Sequence, residues 1–154
     1  MKRVDSFQGE YRWLSNFWPA AVMLDGMSFP TVEHAYQAAK CIDPVERRRI
    51  SELPTPGQAK RAGREIQLGD YWERRKEGVM LDLLRQKFTH KDLREKLLAT
   101  VLADLIEGNT WGDTYWGVCR GRGENRLGKL LMQVRQEIDR GAAPEGKPEE
   151  GNRG

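Results

Sequence analysis

Apolar and polar residues alternate along most of the chain with the spacing of α-helices, in which positions three and four apart share a face. Together with capping residues at the boundaries, this pattern predicts helices at about 31–42, 44–52, 56–64, 71–88, 91–99 and 126–138. The last of these stretches is clearly amphipathic. The pattern therefore indicates a chain built mainly from helices.

Three of the predicted helices begin with recognisable capping residues. Asp43-Pro44 and Thr55-Pro56 each place an N-cap residue before a proline at the first helical position. Gln58 stands where it completes a capping box with Thr55. Asp70 and Glu73 are predicted to cap the longest helix in the same way.

The strand signals are weaker and lie mostly before the first helix. In "AVMLDGMSF", Asp25-Gly26 separates two apolar runs, which predicts a β-hairpin. "VLADLIEGN" (101–109) is ambiguous and is interpreted as a helical end that runs into a loop, and one short strand is expected at 116–120. The predicted fold is mainly α: a compact multi-helix single domain with a small antiparallel β-element near the N-terminus. An α+β fold is the alternative.

Composition sets the expected domain limits. From Gly141 on, the sequence has no apolar residue larger than alanine and is rich in glycine, proline and charge. This predicts a disordered tail at 141–154 after a folded domain at 1–140. The sequence has no long apolar run and no signal-peptide core, so we expect a cytoplasmic protein without a membrane span.

Charge, cysteines and histidines restrict the chemistry. Lysine and arginine number 26 against 23 acidic residues, and the net charge of +3 does not demand nucleic acid, although it leaves room for a phosphate-binding patch. Cys41 and Cys119 show no metal-site or disulfide spacing and are predicted to be reduced, buried thiols. With only His34 and His90, a zinc site or a histidine-based nucleophile mechanism is not expected. We therefore expect no metal and no organic cofactor.

The first predicted helix, "TVEHAYQAAK" (31–40), carries the first candidate site. Glu33, Gln37 and Lys40 fall at i, i+4 and i+7 and therefore project from one face. The opposite face is apolar and rich in alanine, which lets neighbouring elements approach closely. The polar face is either a solvated surface or the wall of a pocket.

Two aromatic stretches are further candidates. "YRWLSNFWP" (11–19) surrounds Ser15-Asn16 with aromatic rings that include Phe17, and it forms either a hydrophobic corner of the core or a ligand loop. "EGNTWGDTYWG" (107–117) combines acids, an amide, three glycines and aromatic rings. There Trp111 suits stacking on a flat heterocycle, and Asp113 suits stabilisation of developing positive charge. The structural alternative is a glycine-rich turn with packed tryptophans.

Basic and glycine-rich segments supply candidate phosphate contacts. Lys60 and Arg64 lie at i, i+4 on one helix face and either grip a phosphate or form a solvated face. "GRGEN" (121–125) leads through Asn125 into the last helix and is either an anion-binding entry or an ordinary turn. Trp72, early in the longest helix, is either a core anchor or a stacking platform.

Taken together, these stretches resemble the NADAR family of YbiA-like N-glycosidases. The matching pieces occur in the family's order across about residues 7–137: "LSNFWP", "FPTVEHAYQAAK", "TPGQAKRAGR", "YWERRKEGVM", "QKF", "LIEGNTWGDTYWGV" and "GRGENRLGKLLMQVR". Each piece alone is a weak signal, but the set is specific. The chain departs from the family at Thr100-Val101-Leu102, where the family usually has Thr-Gly before an acidic residue.

The resemblance implies a mainly helical hydrolase acting on N-glycosyl bonds. Its implied substrates are the ribosylaminopyrimidine phosphate intermediates of riboflavin biosynthesis, cleaved to the pyrimidine and ribose 5-phosphate. The functional residues of the family carry over to Glu33, Trp72 and Asp113. Lys40 is added as a catalytic candidate from the helix-face argument above.

Two mechanisms are open. Glu33 and Asp113 would stabilise an oxocarbenium-like sugar, or one would activate water while the other assists the leaving nitrogen. Alternatively, the sugar ring-opens to an imine and a desolvated lysine, Lys40 or Lys60, captures its carbon as a Schiff base. In either case Trp72 or Trp111 would stack on the base.

Two other functions are considered. One is hydrolytic removal of ADP-ribose from guanine bases of nucleic acid or nucleotides, in which nucleic acid enters only as a modified substrate. The other is a non-catalytic module that binds ADP-ribose or NAD-derived nucleotides. In every case the expected partner is a small ribosyl-phosphate or ADP-ribosyl molecule, and the sequence leaves the oligomeric state open.

Overall fold

The computed structural model describes residues 2–141, so most of the predicted tail lies outside the described residues. In chain order the elements are β1 (Arg3–Val4), a 3₁₀-helix (Gly9–Leu14), β2 (Pro19–Leu24), β3 (Met27–Thr31), α1 (Val32–Ala38), α2 (Pro44–Ser51), α3 (Pro56–Arg64), α4 (Trp72–Lys87), α5 (Lys91–Ala99), β4 (Asp104–Leu105), β5 (Gly108–Asn109), β6 (Val118–Cys119) and α6 (Arg126–Asp139). Helices dominate and the strand pairs are small, which confirms the predicted fold class.

The chain divides into two compact units. Unit I is Phe7–His90 and contains the 3₁₀-helix, the β2–β3 pair and helices α1 to α4. Unit II is Met1–Ser6 with Lys91–Gly154, of which residues 2–6 and 91–141 are described. It contains α5, α6 and the four two-residue strands. Single-domain behaviour of residues 1–140 stays a prediction.

The hairpin of unit I is the predicted antiparallel element. β2 and β3 pair antiparallel, with Val22 opposite Phe29. Asp25 and Gly26 both have positive φ, 48° and 82°, as a two-residue hairpin turn of the primed type requires. Residues of β2 alternate between exposed and buried, and the buried face packs on α1 and α4.

Helix α1 forms the centre of unit I. All seven of its residues are buried, and the helix contacts the hairpin and helices α2, α3 and α4. The caps of the next two helices are as predicted: the Asp43 side chain accepts from the backbone N–H of Val45, and Thr55 and Gln58 form a capping box. The predicted cap of α4 by Asp70 and Glu73 is wrong. Its N-cap is Tyr71, without a side-chain cap, because a backbone turn leads into the helix.

Unit II contains three short strands, β1, β4 and β5, that local patterns do not reveal. β1 pairs parallel with β4, and β5 pairs parallel with β6, which lies within the strand expected at 116–120. The interpretation of 101–109 as a helical end is therefore wrong. The backbone there forms a strand because it hydrogen-bonds to a segment that is distant in the sequence. For example, the Ile106 N–H donates to the Val4 carbonyl at 2.9 Å.

Candidate active site

Glu33 is a buried acid on the central helix of unit I. The Thr31 hydroxyl caps α1 by accepting from the backbone N–H of His34 at 3.0 Å, which fixes the first turn. The backbone N–H of Glu33 donates to the Asn16 carbonyl at 3.1 Å, and only 7% of the residue is exposed. Carboxylates are rarely buried to this extent unless they are paired or hydrogen-bonded, because loss of water around the charge is costly.

Gln37 lies one turn after Glu33 and contacts its carboxylate. Gln37 Nε2 donates to Glu33 Oε2 at 2.7 Å, and 5% of Gln37 is exposed. The predicted common face of Glu33 and Gln37 is thus present in the structure. That face is buried rather than solvated, because the hairpin and helices α2, α3 and α4 pack against α1.

Lys40 lies in the turn after α1, because the helix ends at Ala38 and not at residue 42 as predicted. Its Nζ lies 5.7 Å from the centroid of the Tyr36 ring. Burial lowers the pKa of Lys40, the Glu33 carboxylate opposes this shift, and nearby cations reinforce it. The amine is therefore easier to deprotonate than an ordinary surface lysine.

The cations that act on Lys40 come from two other helices. They are Arg64 and Lys60 on α3 and Lys76 on α4. Together with Lys40 they form what we call the cation cluster, defined by these four residues. Lys60 Nζ also lies 6.0 Å from the centroid of the Phe17 ring, so the cluster adjoins the aromatic 11–19 segment. Such a cluster suits a phosphate group.

Trp72 is almost fully buried, with 4% of the residue exposed. Its ring packs against Tyr36 of α1, with centroids 5.4 Å apart and an interplanar angle of 54°. The geometry makes Trp72 an aromatic support for Tyr36, which lies in the last turn of α1, before the turn that contains Lys40.

The Ser15–Phe17 loop borders a cavity in unit I. The Ser15 hydroxyl accepts from the Phe17 N–H at 3.0 Å, and Asn16 Nδ2 contacts Met80 Sδ at 3.6 Å. Asn16 Oδ1 is buried without a hydrogen-bond partner among the described residues. A cavity of about 300 Å³ adjoins the loop and is lined by Phe7, Gln8, Gly9, Arg12, Ser15, Phe17 and Trp18. Phe17 is 41% exposed and can receive a flat ring.

Lys87 of α4 contacts this loop, and the sequence did not single it out. It is fully buried on α4, and its Nζ donates to the Ser15 carbonyl at 2.7 Å. Burial lowers its pKa to about 7. A lysine near the end of a helix gives no local signal of burial, since lysine is ordinarily exposed.

Asp113 organises the aromatic loop of unit II. Its Oδ1 accepts from the backbone N–H groups of Tyr115 at 3.1 Å and Trp116 at 2.9 Å. Asn109, which is buried, accepts from the Asp113 N–H and donates to the Asp113 carbonyl. Trp111 in the same loop is 53% exposed. The acid and an exposed indole are therefore held on one ordered loop.

The Asn125 side chain is engaged with the backbone. Its Oδ1 accepts from the Glu107 N–H and its Nδ2 donates to the Leu105 carbonyl, each at 3.0 Å. Its φ of 53° is left-handed, which asparagine tolerates better than most residues. This geometry favours a role in shaping the loop before α6 over a role in substrate binding.

The predicted site residues thus fall into two groups. Unit I contains Glu33, Lys40, Ser15, Asn16, Phe17, Lys60, Arg64 and Trp72, and unit II contains Asp113, Trp111 and Asn125. Within unit I, Glu33 and the other cations of the cluster shift the pKa of Lys40, and Lys60 Nζ lies 6.0 Å from the centroid of the exposed Phe17 ring. Lys76 was missed because a single lysine on an amphipathic helix is ordinary.

Comparison with known proteins shows the family. The NADAR domain model matches residues 4–139. The chain belongs to the NADAR family. This match covers nearly all of the residues that the structure describes.

Named NADAR relatives share much of the sequence. The N-glycosidase YbiA of Escherichia coli (strain K12) is 43% identical over 86% of this chain and 85% of its own length. An N-glycosidase of Nostoc punctiforme is 38% identical over 83% of this chain and 86% of its own length. A riboflavin biosynthesis protein of Vibrio vulnificus is 36% identical over 82% of this chain but 35% of its own length.

A solved NADAR structure shares the fold. The NMR structure of E. coli YbiA aligns with a TM-score of 0.80 at 37% identity and covers 98% of this chain and 94% of that one. Two further observations concern residues 2–141. None of their helices has the length and apolar character needed to cross a bilayer, and no three His, Cys, Asp or Glu side chains are grouped to hold a metal ion.

Proposed function

We propose that this NADAR protein hydrolyses the N-glycosidic bond of ribosylaminopyrimidine phosphates, intermediates of riboflavin biosynthesis, and releases ribose 5-phosphate. The relatives named as N-glycosidases support an enzyme that hydrolyses N-glycosyl bonds. The relative named as a riboflavin biosynthesis protein supports this substrate class.

One observation carries the proposal: Glu33 is a buried acid that acts electrostatically on Lys40 within the cation cluster. Binding and cleavage of a ribosyl phosphate require both a cationic group and a carboxylate. Its anionic phosphate is matched by lysine and arginine, and the positive charge that develops on its sugar ring is matched by a carboxylate. A poorly hydrated carboxylate stabilises that charge more strongly than an exposed one.

In the direct mechanism, the C1–N bond breaks as water adds to C1, and the departing ring nitrogen or amine takes up a proton. We assign Glu33 to stabilisation of the oxocarbenium-like sugar. The role of Asp113 as a second acid stays a prediction from the family motif, and its Oδ1 accepts two backbone hydrogen bonds within its own loop. The variants below measure the contribution of each acid to turnover separately.

The alternative mechanism uses Lys40 as a nucleophile. The ribosyl ring of the substrate, a glycosylamine, opens to an imine at C1. The neutral amine of Lys40 then adds to C1, and the pyrimidine amine leaves, so that a lysine imine replaces the first one. Water then hydrolyses the lysine imine and regenerates the amine. The lowered pKa of Lys40 favours this route because a larger share of the side chain is neutral. Lys60 is the second candidate.

The proposed binding roles follow from exposure. Phe17 and Trp111 are exposed enough to stack on a base, whereas buried Trp72 supports Tyr36. Lys60 and Arg64, with Lys76, are proposed to bind the phosphate. Ser15 and Asn16 are proposed to shape the cavity wall next to Phe17.

The test is a product assay by mass spectrometry on purified protein. A ribosylaminopyrimidine phosphate and an ADP-ribosylated guanine oligonucleotide are supplied in parallel, with Glu33→Gln and Asp113→Asn as variants. We expect ribose 5-phosphate from the first substrate and a large loss of turnover in Glu33→Gln. Borohydride added during turnover will leave a covalent adduct on Lys40 or Lys60 only if the Schiff-base route operates.

Two outcomes contradict the proposal. Restoration of unmodified guanine without action on the pyrimidine substrate would make the protein an ADP-ribosyl hydrolase. No turnover of either substrate, together with tight nucleotide binding that Glu33→Gln leaves unchanged, would make it a binding module.

A further inference from the structure

We propose that Gln37 is a positioning residue for the Glu33 carboxylate and that Gly63 is the feature of α3 that makes this possible. The inference rests on the proposed function, because it assumes that Glu33 contacts the reacting sugar. The sequence placed Gln37 on the polar face of the first helix without giving it a role, and it did not single out Gly63.

The contact between the two side chains has one chemically sensible orientation. Gln37 Nε2 donates to Glu33 Oε2 at 2.7 Å inside the buried face of α1. Turning the amide over would place its carbonyl oxygen against the carboxylate, where two acceptors repel each other. The carboxylate therefore dictates where the other end of the amide, Oε1, must lie.

Oε1 of Gln37 lies against the backbone of α3 at Gly63. A Cβ built on Gly63 would collide with Gln37 Oε1 and would lie 2.6 Å from Gln37 Cδ. Gly63 is buried, and Ala59 one turn earlier is also buried, so small residues on α3 allow close approach. Any larger residue at position 63 would displace the amide and with it the hydrogen bond to Glu33.

The arrangement carries a cost that packing alone does not explain. Gln37 Oε1 is buried and has no hydrogen-bond partner among the described residues. A methionine would fill the same space without an unsatisfied oxygen. The chain nevertheless has a glutamine here, which indicates that the position needs the Nε2 donor. Fixing Oε2 orients the carboxylate for the transition state, where small misplacements reduce rate strongly.

The experiment measures kcat, KM and thermal unfolding of the full chain with whichever substrate the wild type cleaves. Gln37→Met keeps the volume and removes the donor. We expect its kcat to fall by about 10- to 100-fold, with KM within about threefold. The melting temperature should also fall, because the buried Glu33 carboxylate loses a donor, although removal of the unsatisfied Oε1 limits the loss. A purely structural role for Gln37 would instead leave kcat of the folded protein unchanged, whatever the change in melting temperature.

Gly63→Ala should lower kcat to a similar extent, and its effect should depend on Gln37. In the double variant Gly63→Ala with Gln37→Ala the amide is absent and only a tight contact of 3.1 Å to the Cβ of residue 37 remains, so kcat should lie close to that of Gln37→Ala alone. Gly57→Ala is the matched control on the same helix. A Cβ there meets only Thr55 Oγ1, at 3.9 Å, and kcat should stay at the wild-type value.

Three results would overturn the inference. One is wild-type kcat in Gln37→Met, and another is multiplication of the Gly63→Ala and Gln37→Ala losses in the double variant. The third is wild-type kcat in Glu33→Gln, which would overturn the assignment of Glu33 in the proposed function as well. If Glu33→Gln loses turnover and Gln37→Met keeps it, the positioning role alone is wrong.

Discussion

Lys87 illustrates how burial changes the chemistry of a single side chain. It is fully buried, donates from Nζ to the Ser15 carbonyl and lies 5.3 Å from the centroid of the Phe88 ring. Loss of water around the ammonium lowers its pKa to about 7. The free energy of unfolding should therefore depend on pH through this residue.

The direction of that dependence follows from proton binding. Between pH of about 7 and the ordinary lysine pKa of 10.5, the unfolded chain binds more protons at Lys87 than the folded protein does. The contribution of Lys87 to stability thus rises with pH across this window and is lost as pH falls towards 7. Denaturant unfolding of wild type and Lys87→Met from pH 6.5 to 9.5 measures it. The stability of wild type relative to the variant should increase with pH, and parallel pH curves would contradict the prediction.

Val101 is a second residue whose conformation leads to a prediction. It is 66% exposed and has a φ of 56°, which is costly for a β-branched residue. Val101→Gly should raise the free energy of unfolding by about 1 kcal/mol, since relief of about 1–2 kcal/mol of strain exceeds the added entropy of the unfolded chain. Thermal and urea unfolding would show this. Val101→Ala keeps a Cβ and should gain less, and equal gains from both variants would argue against strain as the cause.

At the scale of elements, helix starts were more predictable than helix ends. Caps depend on neighbouring residues, as at Asp43 and in the Thr55–Gln58 capping box. The end of α1 and the turn after it are held by an arginine of the next helix. Arg47 Nε donates to the carbonyls of Ala38 and Cys41, and its Nη1 pairs with Asp25 of the hairpin at 2.7 Å. The turn that carries Lys40 is thus held from α2.

Arg47→Lys tests the contribution of these Arg47 contacts. A lysine ammonium cannot reach both carbonyls and the Asp25 carboxylate, since it lacks the planar fork of arginine. We expect a loss of about 1–3 kcal/mol in the free energy of unfolding and a fall in kcat/KM. Arg49→Lys on the same helix is the control. Arg49 pairs with Glu46 on the surface, where the expected change is about 0.5 kcal/mol or less. Equal effects of the two substitutions would show that the Arg47 contacts do not hold the turn after α1.

At the scale of the whole molecule, the placement of charge matters more than its total. The net charge is only +3, yet Lys60 and Arg64 of α3 and Lys76 of α4 all lower the pKa of Lys40 in the turn after α1. Local concentration of charge, and not the overall excess, prepares a protein for an anionic small molecule.

Ionic strength should therefore affect binding of a phosphate substrate. KM should rise between low salt and about 0.5 M while kcat stays nearly constant, because salt screens the cluster. Arg64→Gln should raise KM at low salt and flatten its salt dependence, whereas Arg61→Gln on the same helix serves as the control. Initial rates across a salt series measure this. A KM that does not change with salt would contradict phosphate binding by the cluster.

The sequence by itself determined the helices and the hairpin. Helix periodicity, proline at N1 and the Asp25-Gly26 turn act between neighbours, so they can be read along the chain. The family motifs also lie along the chain, and from them the roles of Glu33, Trp72 and Asp113 are predicted.

Only the tertiary structure decided which of these residues are buried and what they contact. The pairing of β1 with β4 joins segments about one hundred residues apart, and no local pattern encodes it. Burial of Glu33 and Lys87, the contact of Gln37 with Gly63, and the lowered pKa of Lys40 all depend on neighbouring elements. Desolvation and close packing are properties of the folded surroundings, which is the physical reason why they do not appear in the sequence of any single element.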